Sequence, residues 1–305
     1  MLEEKISPMQ AYSSKPFDSE KHIFEIKWDG TRCILFLKGK EVRLQNRRLV
    51  NITSRYPEVS AGAPAEIKAR NAILDGELVV LFRGKPNFQR LQQREHILNP
   101  LRIKLLSKRM PASYMAFDLL FLNGKELTQL PLMERKENLK NILRASDFII
   151  ESEYVKEKGK IFYERVIERG FEGAMAKSVG SPYLIGQRSW HWLKIKPRSS
   201  AVCYIIGYMK GAGGRTSSFG SLVLASLEEG EWIFRGNVGS GFNELDLKEI
   251  SSRLQGLKID SPPVPVPKET RVDQWVKPQL KCEVLFQEIT ENGLFRVPVF
   301  KRLLE

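Results

Sequence analysis

The chain has 305 residues, enough for two domains each with its own core. Lys and Arg outnumber Asp and Glu by 49 to 36, and the resulting net charge of +13 favours a polyanionic partner, nucleic acid or an acidic membrane surface, over generic basic solubility. No apolar run reaches the roughly 18 residues of a membrane span, the N-terminus lacks the layout of a signal peptide, and the scattered Cys33, Cys203 and Cys282 give neither a disulfide framework nor zinc spacing.

A reducing cytoplasm is therefore expected. The histidines, His22, His96 and His191, are equally scattered, so any metal chemistry must use carboxylates, which suit Mg²⁺ or Mn²⁺.

In chain order, "FEIKWDGTRC" places Phe24 and Ile26 on one face of a strand that ends at Lys27, with a tight turn at Asp29-Gly30. "CILFL" and "VRLQN" are strands about the turn Lys38-Gly39-Lys40. "AILDGELVVLF", residues 72–82, reads as a strand pair or one bent strand interrupted at Asp75-Gly76. "SYMAFDLLFLNGKEL" is a long strand followed by an Asn123-Gly124 turn, the strongest short hairpin signal in the chain. "PLMERKENLKNILR" predicts a helix with Pro131 at its first position and Leu132, Leu139, Ile142 and Leu143 on its buried side. "KIFYERVIERG" predicts a second helix closed by Gly170, and "GAMAK" and "HWLKIK" return to strand.

"KPRSSA", residues 196–201, lacks an apolar period and marks a boundary between a first domain, 1–198, and a second, 199–305. Beyond it, "VCYIIGYM", "SLVLASL", "WIFRGNVG" and "CEVLFQEIT" are short strands, with one helix, "NELDLKEISSRLQGL", among them. Short strands with one helix suggest a small β-barrel. Residues 261–267, "SPPVPVP", read as an extended surface connection. "GNVGSGF" lacks the context of a dinucleotide loop and reads as a barrel turn leading into the helix at Asn243, and "GAGGR", 211–215, as a hairpin loop.

Several residues could carry chemistry. A lysine amine attacks only when deprotonated, so a nucleophilic Lys27 needs burial or neighbouring positive charge. Read alone, Lys27 is equally a strand-end lysine before a turn. Glu77 in "DGEL" and Glu172 in "FEGAMAK" lie beside glycines at strand edges. Together they could hold a divalent cation over a triphosphate; singly each is a turn acid. Phe117 could stack on a base or sit in the core. Lys194 and Lys196 alternate with Leu193 and Ile195, so they share one strand face, where they could grip phosphate or face solvent.

The ordered series "EIKWDGTR", "NRRL", "LDGEL", "YMAFDLLFLNG", "FEGAMAK" and "WLKIKP" resembles the motifs of the covalent nucleotidyltransferases, the superfamily of ATP-dependent DNA ligases, RNA ligases and capping enzymes. The text of the second domain is similar to the OB-fold domain of ATP-dependent DNA ligases, most of all to the ligase module of ligase D, the end-joining ligase. The resemblance implies an α+β fold: an adenylation domain of antiparallel sheets with helices, then an OB-fold β-barrel that swings on the linker.

By that resemblance Lys27 is the nucleophile that takes AMP from ATP. Glu25 reads the adenine, Arg32 and Arg47 contact the ribose or phosphate side, and Phe117 stacks on the base. Glu77 and Glu172 associate with Mg²⁺ or Mn²⁺, and Arg188, Lys194 and Lys196 surround the phosphates. Lys177 closes the "FEGAMAK" motif. The last motif, "RVPVFKRLLE", supplies Arg296 and Arg302, with Leu304 where a further arginine is common. The implied reaction is the sealing of 5′-phosphate/3′-hydroxyl nicks in double-strand break repair by a monomer in the nucleoid-bearing cytoplasm, with a Ku-like end-binding protein and a separate polymerase or phosphoesterase as partners. An RNA ligase or capping-type transferase is the alternative. Only 26 residues precede Lys27, so the chain is expected to lack the N-terminal DNA-binding domain of larger ligases.

Overall fold

The structure is a computed structural model that describes residues 1–211, 218–287, 289–290 and 292–304. Residues 212–215 of the "GAGGR" segment and the terminal Glu305 lie outside the described residues. The chain divides into two compact units, Met1–Lys196 and Pro197–Glu305.

The first unit carries two sheets. In chain order its elements are β1 (Gln10–Ser13), β2 (Ser19–Ile26), β3 (Thr31–Lys38), β4 (Glu41–Asn46), α1 (Pro57–Glu66), β5 (Asn71–Phe82), β6 (Lys85–Pro86), α2 (Phe88–Glu95) and α3 (Pro100–Arg109). They continue with β7 (Ala112–Leu122), β8 (Lys125–Glu126), α4 (Leu132–Ile142), β9 (Ile149–Glu151), β10 (Tyr154–Glu157), α5 (Gly159–Glu168), β11 (Ala174–Ser178) and β12 (Arg188–Ile195). One sheet has the order β1-β12-β11-β2-β10, antiparallel except for the β1–β12 pair. The other runs β4-β3-β5-β7-β8, with β6 on β5 and β9 on β7.

Strand alternation explains the layering. On β3, Cys33, Leu35 and Leu37 join one core with α1, α2 and α4, while Ile34 and Phe36 join a second core on the opposite face. That second core also holds Ile73, Phe117, Leu120 and, from the other sheet, Trp192, so it lies between the two sheets. On the first sheet Phe24, Ala174, Ala176 and Ile195 turn the other way, toward α5. Residues 72–82 form one continuous strand, not a pair; the irregularity at Asp75-Gly76 is a register shift against β7. The Asn123-Gly124 turn has both residues at positive φ, 45° and 95°, as a tight hairpin between β7 and β8 requires.

The second unit comprises β13 (Ser199–Lys210), β14 (Phe219–Glu228), β15 (Glu231–Val238), α6 (Glu244–Gln255), β16 (Lys258–Ile259), β17 (Gln274–Val276), β18 (Lys281–Phe286) and β19 (Val299–Leu304), with a main core that includes Ile205, Leu222 and Leu224 and a smaller cluster of Ile206, Val223, Ala225 and Val264 on the other face of β13 and β14. β13 is the hub, pairing with β14, β17 and β18. The Phe295 amide donates to the Arg235 carbonyl at 3.1 Å and the Phe300 amide to the Ser240 carbonyl at 2.9 Å, drawing the last segment back to β15. Asn243 caps α6 reciprocally with Asp246, so the helix starts where the turn after β15 delivers it. This sheet-rich α+β architecture is the adenylation-domain-plus-OB-fold arrangement expected from the sequence.

Candidate active site

The core between the sheets gives way to charge at one end, by the same alternation. On β3 the face carrying Phe36 and Ile34 continues to Arg32, and on β5 Ile73 leads to Asp75 and Glu77. On β2 Ile23 leads to Glu25 and, just past the strand, Lys27; on β12 Trp192 leads to Lys194 and Lys196. Four strands thus bring charged side chains to one pocket of about 240 Å³. Glu25, Lys27, Arg32, Arg47, Glu77, Phe117, Arg188, Lys194 and Lys196, the nine expected nucleotide-site residues, all line it.

Lys27 Nζ donates to Glu172 Oε2, and Lys196 Nζ lies 2.5 Å from Glu172 Oε1. A single carboxylate therefore holds two ammonium groups at the pocket floor. The backbone sets this up: the Lys27 amide donates to the Gly173 carbonyl at 2.9 Å, continuing the β2–β11 ladder past Ile26. Gly173 sits at φ 153°, and a β-carbon there would fall 2.2 Å from the Ile195 carbonyl oxygen, so only glycine lets β11 meet β12 at this point.

Glu25 is buried and charge-matched on both oxygens. Lys177 Nζ donates to Oε2 at 2.8 Å, and Lys136 Nζ, from α4, lies 2.7 Å from Oε1. Burial lowers the Lys177 ammonium to about 8, against the attraction of Glu25. Lys177 also lies 4.2 Å from the centre of the Phe117 ring and 4.3 Å from that of Trp192. Arg32 grips Asp75 with two hydrogen bonds of 2.6 Å, and its guanidinium lies 4.5 Å from the centre of the Phe117 ring. Tyr183 donates its hydroxyl to the same Asp75 at 2.5 Å. Two cations thus lie over the Phe117 ring.

The Glu77 carboxyl has no direct hydrogen bond or ion pair among the described residues. Burial raises its carboxyl to about 7, although Arg32 and Lys27 pull it down, with Asp75 and Glu172 adding to the rise. Burial, then the charge of Glu172, also raises Asp29. Among the described residues no three His, Cys, Asp or Glu side chains gather as a metal cage. The donor set nonetheless fits a Mg²⁺ ion that keeps its waters and takes most of its ligands from phosphate oxygens, which asks for only one or two carboxylates nearby.

Alternation on the strands could have added Met175 and Trp192, which share the pocket with the expected set. The same alternation could have added Asp75, two residues before Glu77 on β5, whereas Lys136 and Tyr183 carry no comparable signal: each acts on a pocket residue or its partner from a distant segment. In the second unit Phe300 of the last motif is buried in the core, while Arg302 Nε donates to Glu283 at 2.9 Å and Lys301 Nζ to the same carboxylate at 2.9 Å. Leu304 ends β19 opposite Lys281.

Comparison with known proteins places this geometry. Residues 1–196 match the family "ATP dependent DNA ligase domain" and residues 215–305 match "ATP dependent DNA ligase C terminal region". The DNA ligase of Nitrosopumilus maritimus is 34% identical over 290 residues, covering 89% of this chain and 48% of that protein. The DNA ligase of Thermococcus fumicolans is 34% identical over 278 residues, covering 88% of this chain and 48% of that protein. The chain thus spans about half the length of the curated relatives it matches. Among solved structures, the ligase domain of M. tuberculosis LigD is 29% identical with a TM-score of 0.57, covering 98% of this chain and 95% of that one. A mycobacterial DNA ligase D complexed with ATP and MES is 28% identical with a TM-score of 0.55, covering 98% and 95%. With both family domains matched in order, this chain belongs to the ATP-dependent DNA ligases of the covalent nucleotidyltransferase superfamily.

Proposed function

We propose that this chain is an ATP-dependent DNA ligase that seals 5′-phosphate/3′-hydroxyl nicks through lysyl-AMP and DNA-adenylate. The observation that carries the reading is the placement of Lys27 at the floor of a pocket whose other charged groups suit one nucleotide. In the first step the Lys27 amine, having lost its proton, attacks the α-phosphorus of ATP; the bond to pyrophosphate breaks and a phosphoramidate forms. The AMP then passes to the 5′-phosphate of the nick, which frees Lys27. Attack by the 3′-hydroxyl on that adenylate releases AMP and closes the strand.

The chain's own residues divide these tasks. Glu172 positions the Lys27 and Lys196 ammonium groups, and Lys194, Lys196 and Arg188 offset phosphate charge as it develops. Glu25, locked by Lys177 and Lys136, and Phe117 form the base-binding end, with Arg32, Arg47 and Glu77 toward the ribose. Glu77 and Glu172 are the residues that would hold a divalent cation, which would neutralise phosphate charge. Arg296 and Arg302 are assigned to the first step from the motif they occupy.

The likeness to the LigD ligase domain supports a role in end joining. On this reading the substrate is nicked or broken duplex DNA in the cytoplasm, and a Ku-like end-binder with a separate polymerase or phosphoesterase would be the partners. No helix among the described residues is long and apolar enough to cross a membrane.

The test is incubation with α-labelled ATP or GTP, then with nicked DNA or nicked RNA. Covalent label from ATP, chased into sealed DNA and lost in Lys27→Ala, is expected. Label from GTP and not ATP would establish the capping-type alternative, and sealing by Lys27→Ala would refute the assigned nucleophile.

A further inference from the structure

Tyr12 and Trp190 stack face to face on the rim of the nucleotide pocket, with ring centres 4.2 Å apart and planes inclined by 13°. Tyr12 lies on β1 and Trp190 on β12, the one parallel pair of that sheet, and the register slips between Ala11 and Tyr12 so that residues 190–192 of β12 have no partner on β1. Trp190 falls in this unpaired stretch. It is 67% exposed, the most open aromatic side chain among the described residues, and neither ring belongs to an apolar core of the unit.

The pair is continuous with the pocket. Arg188 lines the pocket and its guanidinium lies 5.7 Å from the centre of the Tyr12 ring. Arg188 is held there by donating to the Ala11 carbonyl at 3.1 Å and to Gln10 Oε1 at 2.9 Å. Arg47 reaches the same Gln10 oxygen at 3.2 Å. A broad aromatic face, left open and flanked by two arginines at the mouth of a phosphate-binding pocket, matches the chemistry of a nucleotide: the rings take the base and the guanidinium groups take the phosphate.

We propose that Tyr12 and Trp190 form a stacking platform for an unpaired nucleobase of the DNA strand whose 5′-phosphate enters the pocket. The proposal rests on the ligase reading and adds to it a subsite outside the ATP cavity. Within an intact duplex each base face is covered by its neighbours, so the platform selects frayed, gapped or overhanging termini, where a face is free. Tyr12 backs the indole from behind and keeps its orientation, which limits the entropy lost when the base docks.

The test is the affinity of the full chain for a 5′-phosphorylated duplex carrying an unpaired nucleotide beside the nick, with abasic residues placed singly at each flanking position. The abasic residue removes the base and keeps the phosphate. Trp190→Ala should weaken binding of the intact substrate about tenfold, and Trp190→Phe about threefold or less. One abasic position should weaken the wild type to the same extent yet leave Trp190→Ala unaffected. Covalent AMP uptake from ATP should be unchanged in both variants. Wild-type affinity in Trp190→Ala, or equal abasic losses in both proteins, would overturn the platform. Loss of AMP uptake in both Trp190 variants would place the ring in the ATP pocket and overturn it as well. A wild-type chain that takes up no AMP would instead sink the ligase reading, and the platform with it.

Discussion

Lys27 and Glu172 lie 145 residues apart in sequence and form an ion pair on the pocket floor. The pair joins the end of β2 to the start of β11, and the second oxygen of Glu172 extends it to Lys196 at 2.5 Å. Because both ammonium groups converge on one carboxylate, the position of the nucleophile depends on a residue that does not itself react.

Glu172→Gln keeps the shape and removes the charge. The amide replaces one accepting oxygen by an NH2 donor that faces an ammonium group, so the two lysines can no longer each hold an oxygen of their own and Lys27 loses its fixed aim. Single-turnover AMP uptake at saturating ATP should fall on the order of 10²-fold, with a smaller rise in the ATP concentration for half-maximal rate. The circular dichroism spectrum should be unchanged. A variant with the wild-type rate would show that Lys27 is positioned without Glu172.

Glu77 makes the pocket pH-sensitive. Its carboxyl titrates near 7 in the folded chain because burial disfavours the charged form. Between about pH 4.5 and 7 the folded chain holds a proton that the unfolded chain has released. The contribution of Glu77 to stability is therefore full below about 4.5 and is lost as pH rises through about 7. Glu77→Gln should abolish this slope, and the change in unfolding free energy between pH 5 and 8 should be roughly 2–3 kcal/mol smaller in the variant than in the wild type. AMP uptake by the wild type should rise through pH 7, as Glu77 gains its charge, and this limb should be missing in the variant.

The parts of this site that were legible in the sequence are those that strand alternation governs. Glu25 and Lys27 share a face because they are two apart, and Lys194 and Lys196 do for the same reason. What escaped was charge buried from a distance. On α4 the apolar stripe of Leu132, Leu139 and Ile142 is readable, but nothing in the local pattern marks Arg135 and Lys136, which are buried with it. Their burial depends on Asp118 and Glu25, which arrive from β7 and β2 and which no local pattern can pair with them. The helix α1 was unassigned because Gly62 and Pro64 interrupt it and only Val59 and Ala63 of its residues are buried. The polar α2 and α3 bury few residues and gave no stripe to read.

The Asp118–Arg135 pair yields a stability prediction separate from the chemistry. Both side chains are fully buried, and Arg135 donates to Asp118 at 2.7 and 2.9 Å and to the Ser181 carbonyl at 2.8 Å. Arg135→Met leaves the Asp118 carboxylate without its cation and should cost about 3–5 kcal/mol in denaturant unfolding. Pairing it with Asp118→Asn removes the stranded charge and should recover part of that loss. Additive costs in the double variant would show that the two groups stabilise the fold independently.

Gly173 tests whether the pocket depends on the close approach of β11 and β12. A β-carbon there would lie 2.2 Å from the Ile195 carbonyl oxygen, which belongs to backbone and has no free rotation, and φ is 153°. Gly173→Ala must therefore push the start of β11 away from β12. That movement carries Glu172 from Lys196 and breaks the 2.9 Å hydrogen bond from the Lys27 amide to the Gly173 carbonyl. AMP uptake should fall at least 10²-fold, at a stability cost of roughly 1–3 kcal/mol that leaves the chain folded. Gly39→Ala is the control. Gly39 also has positive φ, 62°, but a β-carbon there meets nothing within 4 Å, so the substitution should cost about 1 kcal/mol and leave AMP uptake unchanged. If Gly173→Ala behaved like Gly39→Ala, the strands would be free to part without disturbing Lys27.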